Sequence, residues 1–178
     1  MLTEQEFQNI FSWLPYRQEW PVDRNRFDNN IQDYYGILIS ALLNNLYFET
    51  YESQDGGMSN YLEFICYPKS GPLYDGNAIM ICISLCAPIA TYGQVRITKA
   101  ADSFGWNFLE VGSIQNISDP QLKEIEKEVR NILLTHNLKL IEREYAVIPL
   151  PKELIENTNY ENLNFGEQYL HGIFQHID

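Results

Sequence analysis

Basic residues are scarce in this sequence. It holds 12 Lys and Arg against 24 Asp and Glu in 178 residues, which gives a net charge of -12, and its isoelectric point is near 4.6. Proteins that bind a phosphate backbone need clustered Lys and Arg, so this balance predicts that nucleic acid is not a partner. The acidity favours solubility. It would also match the electrostatic potential of a basic protein partner.

Long apolar runs and a secretion signal are lacking as well. The stretch YYGILISALLNNLYF is interrupted by Ser40, Asn44 and Asn45, so it lacks the roughly 18 apolar residues of a membrane span. The start, MLTEQEFQNIFSWLP, has no basic segment, no apolar segment of signal length and no small-residue cleavage site. Cysteines number three, an odd count that a reducing compartment explains most simply. These features predict a cytoplasmic protein with no membrane partner.

Motifs for cofactor binding and covalent catalysis are also missing. DGGMSN lacks the Lys and the glycine spacing of a phosphate-binding loop, and GQVRITKAADSFG does not fit G-x-G-x-x-G. No G-x-S-x-G elbow marks a nucleophile. PLYDGN offers only Asp75 and Asn77 as calcium ligands, too few for a site. The sequence therefore predicts no cofactor and no metal, and it favours a non-enzymatic role.

What the sequence does contain is a run of strand candidates. Their apolar residues alternate, and Gly, Pro and Asp separate them, which is typical of an antiparallel meander. The candidates are YLEFICY (61–67), AIMICISLC (78–86), GQVRITKA (93–100), WNFLEV (106–111) and LKLIEREYAVIPL (138–150). Length and composition predict one domain over residues 1–178. We expect an α+β fold, a mainly antiparallel sheet of four to six strands with helices packed on it.

Three helices are predicted. Thr3 and Glu6 form a capping box before an apolar stripe that ends at Leu14. A second helix carries Ile31, Tyr35, Leu38, Leu42 and Leu46 at helical spacing, and Ile37, Ile39 and Leu43 widen its apolar face, so we expect it to be well buried. The third, ISDPQLKEIEKEVRNILLTHN (117–137), has Ser118 or Asp119 as its cap and a charged, solvated face.

Two of the cysteines, Cys82 and Cys86, invite a metal or redox interpretation. On a strand their Cα atoms are roughly 13 Å apart, at about 3.3 Å per residue. That distance is too long for a disulfide and for a shared tetrahedral zinc. Cys66 lies on the predicted face of Leu62 and Phe64. We therefore expect the cysteines to be buried structural thiols.

The histidines leave an enzymatic alternative open. His136 falls near the end of the third helix, where a cation offsets the helix dipole. His171 and His176 are five residues apart, unlike the i, i+4 pair of the zinc-protease motif. A small enzyme or a small-ligand-binding regulatory domain would use His171 or His176. Such a site would require a pocket that brings one of them together with a cysteine or a carboxylate.

The candidate partner-binding surface is a set of tyrosines and acids. They lie just before the predicted sheet and in one of its first loops. Tyrosine is enriched in interfaces, and carboxylates around it would pair with Lys or Arg of a partner. In the alternative arrangement Tyr47 and Tyr51 pack inward and the acids face water. The predicted surface consists of Tyr47, Glu49, Tyr51, Glu52, Asp55, Tyr74 and Asp75.

The chain resembles the small acidic immunity proteins that accompany bacterial polymorphic toxins. The resemblance lies in one acidic α+β domain without a catalytic motif. The ending NFGEQYLHGIFQHID (164–178) is similar to the aromatic-rich, Asp-terminated tails of some bacterial proteins of this size. The resemblance implies an inhibitor that occludes the active site of a cognate toxin or enzyme, and it transfers no functional residues.

The partner predicted on this basis is a protein, with a basic surface, and the chain itself would be a monomer or a small homo-oligomer. A structural or phage-derived protein that acts through self-assembly is a third alternative.

Overall fold

The computed structural model describes residues 35–52, 61–69, 76–84, 89–100, 103–150, 152 and 168–174. The predicted N-terminal helix lies outside these residues. So do the side chains of Asp55, Tyr74, Asp75, Cys86 and His176, to which the sequence analysis assigned roles.

The described residues form a six-stranded sheet. Its strands are β1 (Phe48–Glu52), β2 (Tyr61–Pro68), β3 (Asn77–Ser84), β4 (Ile89–Ala100), β5 (Ser103–Trp106) and β6 (Lys139–Leu140). The order is β1-β2-β3-β4-β5 with every neighbouring pair antiparallel, and β6 pairs in parallel with β4. The predicted antiparallel α+β sheet is confirmed.

Helices cover the sheet. They are α1 (35–43 in the described part), α2 (Lys123–Thr135), α3 (Arg143–Ala146) and α4 (Tyr169–Ile173), with short 3-10 turns at Val111–Ser113 and Pro120–Leu122. Of the two predicted caps before α2, Ser118 and Asp119, the cap is Asp119, whose carboxylate accepts the N–H of Gln121 at 2.9 Å. Asn77 also donates to this carboxylate, and these hydrogen bonds lower the pKa of Asp119.

Strand β3 separates two hydrophobic cores because its side chains alternate between the faces of the sheet. Ile79, Ile81 and Ile83 belong to the first core, where α1 and α2 pack. Met80 and Cys82 belong to the second core, which includes apolar residues of α4. The isoleucine alternation thus predicted the strand, and the structure adds that helices pack on both of its faces.

The predicted burial of the second helix is wrong for part of its surface. Leu38 and Leu42 are buried, but Ile37 is 80% exposed and Leu43 is 42% exposed. Ile37 is one residue, about 100° of helical turn, away from the buried stripe. Leu46 is 82% exposed because α1 ends before it.

Two strand boundaries also differ from prediction. The segment 106–111 contributes only Trp106 to β5, because the following chain crosses the sheet at Gly93, where Ile114 forms a bridge. A Cβ atom on Gly93 would lie 2.4 Å from the carbonyl oxygen of Ser113, so only glycine permits this close approach.

Within the predicted fifth strand, 138–150, Lys139–Leu140 alone forms a strand and α3 follows. Near the end of the segment, Pro149 makes an isolated antiparallel bridge to Gln168. The carbonyl that follows β6, that of Ile141, accepts hydrogen bonds from the Thr91 hydroxyl at 3.1 Å and the Gln115 amide at 3.2 Å. At this carbonyl, side-chain donors therefore take the place of backbone N–H groups of a neighbouring strand, and β6 ends.

Candidate functional site

The candidate partner surface lies on an edge strand. The first predicted strand begins at Tyr61, but β1 precedes it and carries Glu49, Tyr51 and Glu52, with Tyr47 immediately before. In the described part of the chain β2 is the one strand that pairs with β1. Four of the seven predicted surface residues are thus brought together on one edge, whereas Asp55, Tyr74 and Asp75 lie outside the described residues.

The side chains of β1 alternate between core and solvent. Phe48 is 1% exposed and belongs to the core under α1, and the Thr50 hydroxyl donates to the carbonyl of Leu42 at 2.8 Å. Glu49 and Tyr51 point to the other face and are exposed. Phe48 therefore anchors the strand while its neighbours remain accessible.

The two tyrosines of the surface are not packed inward. Tyr47 is 69% exposed and Tyr51 is 42% exposed. Tyr51 meets the ring of Trp106 edge-on, with the centroids 5.6 Å apart. Together with the exposed Leu46, Tyr47 and Tyr51 give this edge more exposed apolar area than is expected of a purely solvated acidic strand.

The carboxylates around these tyrosines have different environments. Glu49 is exposed and lies directly across from Tyr67 of β2. Burial and the Glu49 carboxylate raise the pKa of Tyr67 to about 12. Glu52 is half-buried on the opposite face, and burial raises the pKa of its carboxyl group.

A buried acid lies beneath this edge, and the sequence analysis did not identify it. Glu63 of β2 is 8% exposed. Its carboxylate accepts the indole N–H of Trp106 at 2.6 Å and the hydroxyl of Tyr61 at 3.3 Å. The sequence feature that could have identified Glu63 was the presence of an acid within the apolar strand YLEFICY. Such a buried carboxylate needs fixed donors, and Trp106 supplies one from a strand that is distant in sequence.

His171 is a further buried polar group of this face. It is 6% exposed, its Nδ1 atom has no hydrogen-bond partner, and its ring lies 6.2 Å from the ring of Phe108. Burial lowers the pKa of His171, which favours the neutral imidazole.

The described cysteines are enclosed in the two cores, as predicted. Cys66 and Cys82 are both 0% exposed and free. Burial raises the pKa of the Cys66 thiol to about 12, and burial with the nearby Glu63 charge raises that of Cys82. A thiol that stays protonated and inaccessible is a poor nucleophile.

Within the described ranges no three His, Cys, Asp or Glu side chains converge as metal ligands would. None of the helices in those ranges combines the length and the apolar character that a membrane span needs. Comparison of the chain with protein-family models, with curated proteins and with solved structures found no match in any of the three.

Proposed function

We propose that this protein is a non-enzymatic, cytoplasmic protein-binding domain of the immunity type, which neutralises a cognate toxin or enzyme by covering its active site. The observation that carries the proposal is the exposure of Tyr47, Glu49 and Tyr51 on an edge strand anchored by Phe48. An anchored strand presents its outward side chains at little further cost in conformational entropy, which favours binding.

The inhibitory mechanism combines steric cover with charge. Tyr47 and Tyr51 supply apolar area with a polar tip, the residue type enriched at interface centres. Glu49 and the net charge of -12 would attract a basic cleft and speed encounter with it. This mechanism uses no cofactor and no covalent step.

The test is co-expression with a toxin encoded beside this gene. We expect the cells to be protected and the purified pair to form a 1:1 complex. Its association should slow as salt rises, because the Debye length falls from about 10 Å at 0.1 M to about 3 Å at 1 M. Neither protection nor a complex would reject the proposal.

Variants on the edge give a finer test. Tyr47→Ala should weaken the complex by about 2 kcal/mol, or about 30-fold, if Tyr47 is a central anchor. Glu49→Gln should mainly slow association and reduce its salt dependence. The matched controls lie on the solvated face of α2: Leu134→Ala removes an apolar group that is 44% exposed, and Glu124→Gln removes one exposed charge. Controls that weaken binding as much as the edge variants would place the interface elsewhere.

A second candidate function is small-ligand binding through His171. The observation that favours it is the buried, unpartnered Nδ1 atom on the face that also holds Glu63 and Cys82. The burial of Cys66 and Cys82 weighs against catalysis by a thiol. The test is a thermal-shift screen of small metabolites, in which a true ligand raises the melting temperature of the protein but not that of His171→Phe. A screen without such a ligand would reject this alternative.

A further inference from the structure

In the described part of the chain, the outer edge of β1 carries backbone groups that no strand of the sheet bonds, and the register identifies them. The N–H of Ile97 donates to the carbonyl of Gly76 at 2.9 Å, across the β3–β4 ladder. Backbone direction alternates along an antiparallel strand. Even-numbered residues of β3 therefore bond to β4, and odd-numbered residues bond to β2.

The same alternation carries through β2 to β1. Since Ile81 of β3 bonds to its partner Phe64, the next residue of β2, Ile65, bonds to its own partner Tyr51. Odd-numbered residues of β1 thus bond to β2, and the N–H and C=O groups of Phe48, Thr50 and Glu52 point to the open edge.

Two further observations agree with this assignment. Pro68, the partner of Phe48, has no N–H and cannot complete a hydrogen-bonded pair. The side chains of Thr50 and Cys66 approach to 3.6 Å, as expected where the pair is not hydrogen-bonded and the strands are closest.

An edge of this kind accepts another strand unless side chains prevent it. Proteins protect edges with Lys, Pro, bulges or charges. Strand β1, FETYE, has no Lys and no Pro, and only its acids oppose pairing. Glu49 lies on one face of the strand and Glu52 on the other, so neither side chain blocks the backbone at the edge. Their charges instead discriminate between acidic and basic strands.

Resting on the function proposed above, we propose that the partner adds an extended basic segment to the open edge of β1, antiparallel to it. Lys or Arg three residues apart in that segment would lie opposite Glu49 and Glu52, one on each face. Opposite charges across strands stabilise a pair, and like charges destabilise it. The partner class is therefore a protein with an exposed strand of the pattern basic-x-x-basic.

The state of Glu52 supports a cationic occupant. Its carboxylate is half-buried and makes no hydrogen bond or ion pair to the described residues. A partly desolvated carboxylate without a partner gains more from an added cation than an exposed one does.

A second copy of the chain is a poorer occupant. Pairing β1 with itself about a two-fold axis would place four glutamates in one seam between molecules that each carry a net charge of -12. Repulsion between the copies opposes that pairing, whereas the same charge attracts a basic strand.

The test uses a synthetic probe and the unaltered protein. A capped peptide containing Lys-Val-Thr-Lys-Ile is titrated to millimolar concentration, and amide hydrogen exchange is followed by NMR. At about ten times the peptide Kd, exchange at Phe48, Thr50 and Glu52 should slow about tenfold. The amides of Glu49 and Tyr51, already bonded to β2, should change little. The peptide in which both Lys are replaced by Glu is the control and should have no effect.

Backbone methylation of the peptide separates strand addition from simple charge attraction. Methylating the amide of the central Thr, which would face β1, should abolish the protection. Methylating the amide of the preceding Val, which would face solvent, should preserve it.

The proposal is overturned if the basic peptide protects none of the three outward amides, or if the acidic peptide protects them equally. It is also overturned if they become protected as protein concentration alone rises and light scattering shows a doubled mass, since the occupant is then a second copy. Toxin neutralisation without peptide binding would reject this inference alone. Peptide binding without toxin neutralisation would reject the toxin-inhibitor role instead.

Discussion

Strands β3 and β1 belong to one antiparallel sheet, but their surroundings are opposite. Every residue of β3 after Asn77 is buried, and its two faces contact different cores. In β1 only Phe48 is buried, and backbone hydrogen-bonding groups point away from the sheet. Strand β3 is therefore enclosed on both faces, whereas β1 exposes Glu49 and Tyr51.

The difference between β3 and β1 shows that the position of a cysteine, tyrosine or glutamate in the sheet decides whether its side chain can react or bind. Cysteine at the centre of a sheet behaves as a small apolar residue, because burial keeps its thiol protonated. Glu49 and Tyr51 stay exposed at the edge, where β2 is the one described strand that pairs with β1.

The largest expected difference is in thiol reactivity. Alkylation of Cys66 and Cys82 in the native protein should be at least about 1000-fold slower than in the urea-unfolded chain, since labelling requires extensive opening of the structure. Peptide mapping by mass spectrometry measures both sites. Rapid labelling of Cys82 in the native protein would contradict the assignment of β3 to the centre of the core.

Side-chain truncation should distinguish the two strands in stability. Ile81→Ala in β3 should lower the free energy of unfolding by about 3 kcal/mol, because Ile81 is fully buried and the change leaves a cavity. Tyr51→Ala in β1 removes a larger side chain but should cost only about 1 kcal/mol, mainly its contact with Trp106. Urea unfolding measures both. Equal losses would show that β1 is as enclosed as β3.

A smaller effect is expected beside the centre, at Gly93, which lies across from Met80 of β3. Gly93→Ala should destabilise the protein by about 2 kcal/mol, because the new methyl group meets the backbone of Ser113. Gly112→Ala is the matched control, since a Cβ there has no neighbour within 4 Å. If Gly93→Ala proves neutral, the crossing chain can move away from the sheet without cost.

The pH dependence should report on the second core. Because burial lowers the pKa of His171 below its ordinary value of about 6.5, the unfolded state binds a proton more readily. Stability should be greatest above about pH 6.5 and fall as the pH drops below it. Urea midpoints between about pH 7.5 and about pH 5 measure this.

His171→Phe should flatten the pH profile, and His136→Gln, a change at the end of α2, should retain it. A slope that persists in His171→Phe would assign the effect to other groups.

The centre of the sheet was predictable from sequence, because a buried strand must show its pattern. Ile79, Ile81 and Ile83 alternate with small apolar residues, and no other local structure fits that period. The sequence also predicted a cap before α2 but left Ser118 and Asp119 as alternatives, because both are short hydrogen-bond acceptors placed just before Pro120.

The edge was not predictable as a strand. Phe48, Thr50 and Tyr51 are residue types that favour strands, but FETYE is short and has only one apolar residue on its buried face. Tertiary pairing with β2 therefore decides its conformation. The bond from Trp106 to Glu63 joins residues 43 positions apart, which no local pattern encodes. The exposure of Tyr47 and Tyr51 depends on the same long-range packing.

The ring of Trp106 connects the second core to β1. Its indole N–H is held by a buried carboxylate, while its face meets Tyr51 at the open edge. Indole emission responds to the polarity around the ring, so a chain that settles on β1 and shifts Tyr51 would change the fluorescence of Trp106. With Trp13 and Trp20 replaced by Phe, the protein would report occupancy of its edge strand without an added dye.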